Sequence, residues 1–114
     1  MQTPFFSVVI PTLDEEKTLP KLLQDLNKQT FTDVDVFVVD GGSKDKTVEI
    51  ASQFAKEHKR FTVLECNQKN VSIQRNMGAE HSQGTYLIFL DADVRIPHYY
   101  LECIHYNLMK NGVD

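Results

Sequence analysis

The amino-acid sequence predicts an α/β domain with a mainly parallel sheet of about four strands. Four short apolar runs recur along the 114 residues, and amphipathic stretches with helical spacing lie between them. The first, second and fourth runs are almost continuous in Val, Ile, Leu and Phe, which is typical of strands covered on both faces. An alternating order of strands and helices indicates parallel pairing through right-handed crossovers.

The apolar runs place the four strands at residues 5–10, 34–39, 61–64 and 86–90. In sheets of this class, ligands bind beyond the carboxyl ends of the strands. Functional residues are therefore expected in the segments that follow Ile10, Val39, Leu64 and Leu90.

The stretches between the strands carry helical patterns. Leucines spaced i, i+3, i+4 and i+7 form one apolar stripe over residues 19–26. Similar spacing predicts a second helix over residues 48–55 and a shorter third helix around Ile73 and Met77. Pro97 suits the first turn of a fourth helix.

The charge balance argues against two classes of partner. Sixteen acidic residues against 12 basic ones give a net charge of −4, which is unlike a nucleic-acid-binding surface and gives no general attraction to anionic lipid. An anionic ligand would need a metal ion or a few well-placed cations. Cys66 and Cys103 lack metal-ligand spacing, so we expect reduced thiols.

No targeting or membrane-spanning segment is predicted. The amino terminus lacks the basic and apolar regions of a signal peptide, and no apolar run approaches the roughly 20 residues that span a bilayer. We therefore expect a cytoplasmic location, and attachment of the intact protein to the cytoplasmic face of a membrane stays open.

Two carboxylates, Asp91 and Asp93, follow the fourth strand directly and flank Ala92. If the extended conformation persists, residues i and i+2 point the same way, and their charges repel unless a cation lies between them. Mg²⁺ and Mn²⁺ take such oxygen ligands and could bridge the pair to a diphosphate. The alternative is two solvated acids in a turn.

The segment after the second strand begins with Asp40, Gly41 and Gly42. Glycines let the backbone approach a base or ribose closely, and Asp40 could accept a hydrogen bond from either group. An ordinary turn is the alternative, and for Ser43 and Asp45 we favour that interpretation, with one of them capping the next helix.

Two further segments supply candidates. Pro11, Thr12 and Leu13 leave the sheet after the first strand, where their backbone could meet a base, and Glu15 follows them. The neighbouring Glu16 is interpreted as an acid that complements a helix dipole.

Arg75 is a candidate clamp for a diphosphate, or else a surface arginine. Gly78 costs about 1 kcal/mol in a helix relative to Ala. Its presence predicts a close packing contact.

Together, the four segments resemble glycosyltransferase family 2. The resemblance is carried, in order, by Ser7–Glu16, Val38–Thr47, Arg75–Gly78 and Leu90–Asp93, and it extends over nearly the whole chain. It implies a Rossmann-like, three-layer GT-A domain with a DxD motif. It also implies transfer of a sugar from a nucleotide donor to an acceptor hydroxyl, with inversion and with Mg²⁺ or Mn²⁺.

The resemblance assigns roles by position. Pro11, Thr12 and Leu13 would line the base pocket, with Glu15 beside them as a further substrate-binding residue. Asp40 would contact the base or ribose, with Gly41 as a further substrate-binding residue, and Arg75 would lie near the base or diphosphate. Asp91 would face the ribose or metal, Ala92 is a further substrate-binding residue, and Asp93, with Asp91, would bind the metal. The implied partners are a nucleotide-diphosphate sugar such as a UDP-sugar and a carbohydrate or lipid-linked acceptor, with no nucleic acid.

Three departures from the family pattern affect these expectations. The family commonly has an aromatic residue at the position of Leu13 and a second acid at the position of Gly41, so the base stays open. The chain also ends about 20 residues after Asp93, so residues 1–114 are interpreted as the donor-binding part, without the acceptor side or general base. We expect weak nucleotide binding, little transfer, and homodimers through the apolar fourth strand.

Two other functions stay open from the sequence. A receiver-type phosphoacceptor domain also has acids at the ends of parallel strands. A non-catalytic nucleotide-binding or interaction module would keep the fold without the reaction.

Overall fold

The computed structural model describes residues 3–112, in which strands and helices alternate as predicted. The elements are β1 (Phe6–Thr12), α1 (Leu19–Asn27), β2 (Val34–Asp40), α2 (Thr47–Glu57), β3 (Phe61–Glu65), α3 (Val71–His81), β4 (Tyr86–Phe89) and α4 (Tyr100–Lys110). All four predicted strands and all four predicted helices are confirmed. Pro97 lies before α4 rather than in its first turn, and its carbonyl accepts from the Tyr100 N–H.

The four strands form one parallel sheet in the order β3-β2-β1-β4. β1 therefore lies at the centre of the site-forming region, with β2 on one side and β4 on the other. β4 is an edge strand, as expected, and its Leu87 and Phe89 side chains are 41% and 43% exposed. The sequence segments that follow β1, β2 and β4 meet at one end of the sheet because the strands are parallel.

Helices cover both faces of the sheet, which makes three layers. On one face, the leucine stripe of α1 packs with Ala51 of α2, Leu101 of α4 and the even-numbered apolar residues of β1. On the other face, α3 lies against Val9 and Val39. The approach is close because Gly78 has no side chain: a Cβ there would lie 2.4 Å from Val9 Cγ1. The close contact predicted for Gly78 is thus confirmed.

Helix α3, which borders the site, has a defined start. The side chain of Asn70 accepts a hydrogen bond from the Ile73 N–H at 3.0 Å, as an N-cap does. None of the helices within residues 3–112 has the length and apolar character needed to cross a membrane.

Candidate functional site

A cavity of about 340 Å³ opens at the carboxyl ends of β1 and β4. Its lining comes from the segment after β1, the segment after β4, and the start of α3. The residues are Pro11, Thr12, Leu13, Glu15, Lys69, Val71, Gln74, Asp91, Ala92 and Asp93. Seven of the ten predicted site residues are in this lining, while Asp40, Gly41 and Arg75 lie outside it.

Asp91 and Asp93 reach the cavity through a turn. The Val94 N–H donates to the Asp91 carbonyl at 3.2 Å, so the strand conformation does not continue through these residues, and the assumed extended geometry is wrong. Ala92 is buried between two exposed aspartates. The turn therefore anchors its middle residue in the core and leaves both carboxylates at the cavity.

The segment that follows this turn is fastened to α1. Asp25 is buried and accepts from Arg95 Nε at 2.7 Å, from Arg95 Nη2 at 3.0 Å and from the Ile96 N–H at 3.2 Å. The hydrogen bonds from Arg95 hold the pKa of Asp25 below its ordinary value. The buried Gln29 side chain donates to the Pro97 carbonyl at 2.7 Å. These contacts fix the backbone that positions the two aspartates.

Asp40 is buried and occupied by internal hydrogen bonds. Its carboxylate accepts from Thr12 Oγ1 at 2.7 Å, Ser43 Oγ at 2.6 Å, the Ser43 N–H at 2.7 Å and the Gly42 N–H at 2.9 Å. Burial opposes its ionisation, but the hydrogen bonds outweigh burial and lower its pKa. Asp40 thus ties the end of β1 to the loop after β2, and its contact with a ligand stays a prediction.

The loops after β1 and β2 exchange hydrogen bonds. Asp14, in a left-handed conformation with φ of 53°, accepts from the Lys44 N–H at 2.8 Å. In return, Asp45 accepts from the Glu16 N–H at 3.2 Å. Glu16 accepts from the Lys46 N–H at 3.2 Å, so this acid lies at the start of α2.

Neither of the two residues proposed as a helix cap occupies the N-cap of α2, because that position is Lys46 and no side chain caps it. Asp45 accepts from the Thr47 N–H at 2.9 Å at the start of α2. The Ser43 hydroxyl accepts from the Asp14 N–H instead, at 2.8 Å.

Arg75 lies beside the aspartates without lining the cavity. Its Nη2 atom is 3.7 Å from Asp91 Oδ1, and the two side chains are 43% and 68% exposed. Its guanidinium also lies over the Phe89 ring, at 5.9 Å from the centroid. Arg75 is therefore next to the carboxylate that is expected to share a metal.

The cavity has a net negative charge, because its lining contains the three acidic residues Glu15, Asp91 and Asp93 and one basic residue, Lys69. Burial is the main cause that raises the pKa of Glu15; the hydrogen bond with Thr18 opposes it, and the charges of Asp93, Asp45 and Asp14 add smaller increases. Across residues 3–112, no three His, Cys, Asp or Glu side chains come together as a ready metal site. Two carboxylates fit an ion such as Mg²⁺, which takes its other ligands from phosphate and water.

Three lining residues were missed by sequence reasoning: Lys69, Val71 and Gln74. Gln74 is 2% exposed, and its Nε2 donates to the carbonyls of Thr12 and Val39, each at 2.9 Å. The sequence does contain one indication that Gln74 faces the sheet. Gln74 precedes Gly78 by four residues, so the two share a helix face, and that face packs on the sheet.

Comparisons with known proteins identify the family of this chain. The family model described as Glycosyl transferase family 2 matches residues 7–114. A PGL/p-HBAD biosynthesis glycosyltransferase of Mycobacterium bovis is 38% identical over 94 residues, which cover 82% of this chain and 37% of that protein. Glycosyltransferase AglE of Haloferax volcanii is 38% identical over an alignment of 114 positions that covers 97% of this chain and 38% of AglE. The chain thus spans less than two-fifths of the length of these relatives.

A solved structure shows the same architecture. S. aureus TarS 1-349 has a TM-score of 0.86 at 28% identity, covering 94% of this chain and 33% of that one. The predicted GT-A fold is therefore confirmed, and the receiver-type alternative is excluded. On the family match and the two relatives, this chain belongs to glycosyl transferase family 2.

Proposed function

We propose that this chain forms the donor site for transfer of a sugar, with inversion, from a nucleotide-diphosphate sugar to an acceptor hydroxyl. The observation that carries the proposal is the meeting of Asp91 and Asp93 with residues 11–13 in one cavity. TarS 1-349, which this chain resembles over 94% of its length, has been solved in complex with UDP-GlcNAc. That complex supports a UDP-sugar as the donor.

A divalent cation, Mg²⁺ or Mn²⁺, is part of the proposal because the cavity would otherwise repel a diphosphate. Three carboxylates outnumber the single ammonium of Lys69, and like charges in a partly enclosed site are unfavourable. Asp93 and Asp91 would hold the ion. When bound, it would offset the charge that develops on the departing nucleoside diphosphate.

Arg75 is proposed to offset part of the negative charge of the diphosphate as well. Its guanidinium is 3.7 Å from Asp91, so a phosphate oxygen close to that carboxylate lies within its reach. A guanidinium pairs well with phosphate oxygens, and once the metal neutralises Asp91, Arg75 is free to do so.

The isolated chain is proposed to bind the donor but to transfer sugar poorly. Inversion needs a base that takes the proton of the acceptor hydroxyl, on the side of the sugar opposite the leaving diphosphate. The carboxylates that line the cavity are Glu15, Asp91 and Asp93, and the proposal assigns the two aspartates to the metal rather than to the acceptor. Incubating the chain with UDP-GlcNAc, Mn²⁺ and simple acceptors should give no product, and measurable turnover would contradict this point.

Nucleotide titration tests the donor site itself. Calorimetry with UDP should show binding that Mn²⁺ strengthens, and Asp93→Asn should weaken binding in Mn²⁺ by about tenfold, or about 1.4 kcal/mol. Asp33→Asn is the matched control, because Asp33 is exposed and precedes β2 at the opposite end of the sheet.

The same titration separates the competing outcomes. If no nucleotide binds the wild-type chain, the donor site is rejected. If UDP binds equally with and without Mn²⁺, the site is not metal-assisted, and a non-catalytic nucleotide-binding module is the better description.

The exposed edge of the sheet carries a second proposal, on assembly. β4 pairs with β1 on one side only, and it exposes Leu87 and Phe89. An apolar unpaired edge favours pairing with another chain, so the isolated chain is proposed to form homodimers through β4. A cytoplasmic location also stays a proposal.

A further inference from the structure

Gln74 is a buried polar residue in the wall of the cavity. It is 2% exposed, and it lines the same space as Asp91 and Asp93. Its Nε2 donates to the carbonyls of Thr12 and Val39, both at 2.9 Å. The side chain thereby connects α3 to the ends of β1 and β2.

These two contacts determine the orientation of the amide. Carbonyl oxygens only accept hydrogen bonds, so the atom between them must be the NH₂ group, and both of its hydrogens are used. Oε1 is then the polar atom of Gln74 that is left to meet a ligand. It can act only as an acceptor, and it is held in one orientation.

Gly41 makes room for this amide. A Cβ at residue 41 would lie 2.9 Å from Gln74 Oε1 and 2.8 Å from the Gln68 carbonyl oxygen. Both distances are shorter than ordinary van der Waals contact. The Gly41 N–H also donates to the Thr12 carbonyl at 3.0 Å, the oxygen that Gln74 contacts. Any side chain at residue 41 would displace the amide.

The position of Gln74 relative to the aspartates indicates which part of the ligand it meets. Asp91 and Asp93 follow β4, whereas Gln74 contacts the ends of β1 and β2, on the other side of the central strand. Within the cavity, a donor whose diphosphate is held at the aspartates can extend past the end of β1 toward Gln74. Gln74 is then at the base end of the cavity.

We propose that Gln74 is a specificity-determining residue that reads the nucleobase through Oε1. It favours bases with a ring N–H beside a carbonyl, as in uracil and guanine. It disfavours cytosine and adenine, whose corresponding ring nitrogen carries a lone pair. This inference rests on the proposed function.

The physical reason is the difference between a donor and a second acceptor. A ring N–H donates to the fixed Oε1, whereas a lone pair facing it leaves two acceptors against each other. Such buried mismatches reject a ligand more strongly than a lost apolar contact does.

Matched nucleotide pairs test the inference, with affinities measured by calorimetry in Mn²⁺ for UDP against CDP and for GDP against ADP. The wild-type chain should prefer the first member of each pair by about tenfold. Gln74→Leu should bring both ratios close to one. Gln83→Leu, at an exposed position after α3, should leave them unchanged.

A purely structural role for Gln74 predicts a different result, because it would weaken all four nucleotides by the same factor and keep the ratios. That result would overturn the inference. So would equal affinity for UDP and CDP in the wild-type chain. If Gln74→Leu does not fold, Gln74→Met replaces it, because methionine has nearly the same length and no acceptor oxygen, and it should also bring both ratios close to one.

The two proposals fail in different ways. Binding of nucleotides with unchanged ratios in the variant removes only the role of Gln74. Absence of all nucleotide binding in the wild-type chain removes the donor site, and the role of Gln74 with it.

Discussion

Replacing Gly78 by alanine tests whether α3 is held against the sheet as tightly as the structure shows. The added Cβ would lie 2.4 Å from Val9 Cγ1, 3.0 Å from Val9 Cγ2 and 3.2 Å from Val39 Cγ2. Both valines are fully buried, so neither can move into solvent. Ordinary contact begins at 3.4 Å, so α3 or Val9 must yield by about 1 Å (3.4 − 2.4).

The expected destabilisation combines two opposing effects. Overpacking a well-packed core costs about 1–3 kcal/mol, and a clash with buried valines on two strands places Gly78 near the upper end. Alanine has the higher helix propensity, so replacing glycine inside a helix stabilises the fold by about 1 kcal/mol. The free energy of unfolding should therefore fall by about 2 kcal/mol. At about 4 °C per kcal/mol for a domain of this size, Tm should fall by roughly 8 °C.

Urea unfolding followed by circular dichroism measures this loss. Glu80→Ala, an exposed site on the same helix, should change the free energy of unfolding by less than about 0.5 kcal/mol. Adding Val9→Ala to Gly78→Ala removes the methyl groups that clash, so the double variant should be more stable than the sum of the single effects by about 1 kcal/mol. A Gly78→Ala chain as stable as the wild type would refute the close contact between α3 and β1.

Two further predictions concern acid stability and assembly. Asp25 and Asp40 have lowered pKa values in the folded protein. Their ionised carboxylates therefore raise the free energy of unfolding above the ordinary carboxyl pKa of about 3.9, and this contribution is lost as pH falls through the folded pKa values. Asp40→Asn should therefore lose most stability at pH 7 and least near pH 3 in urea titrations; a loss independent of pH would contradict the assignment. Light scattering at high concentration should show dimers of the wild-type chain and monomers of Leu87→Lys, whereas a monomeric wild type would remove the proposed edge pairing.

The layered fold was predictable because its signals are local. Seven consecutive buried residues from Phe6 to Thr12 appear in the sequence as an apolar run that is interrupted by Ser7 and ends in Pro and Thr. The leucines of α1 are all buried on one face, as their spacing predicts. Parallel pairing then brings the ends of β1 and β4 together, which is why most of the cavity lining could be predicted before any coordinates.

The missed parts of the site depend on contacts between distant segments. Gln74 is important because its amide reaches carbonyls on β1 and β2, and no local pattern encodes those partners. Asp40 looks like a free acid in the sequence, yet Thr12, 28 residues earlier, shares its carboxylate. The turn at Asp91 depends on Ala92 being buried, which becomes visible only once α1 and α4 are in place.

The reciprocal hydrogen bonds between the loops after β1 and β2 have a consequence for the energetics of ligand capture. Asp14 and Glu16 on one loop bind backbone groups of the other, and Asp45 binds back. Each loop is thus immobilised by its neighbour before any ligand arrives. A ligand that binds in the cavity loses its own conformational freedom, but it does not also have to order these two loops. More of the free energy of its contacts is therefore retained as affinity.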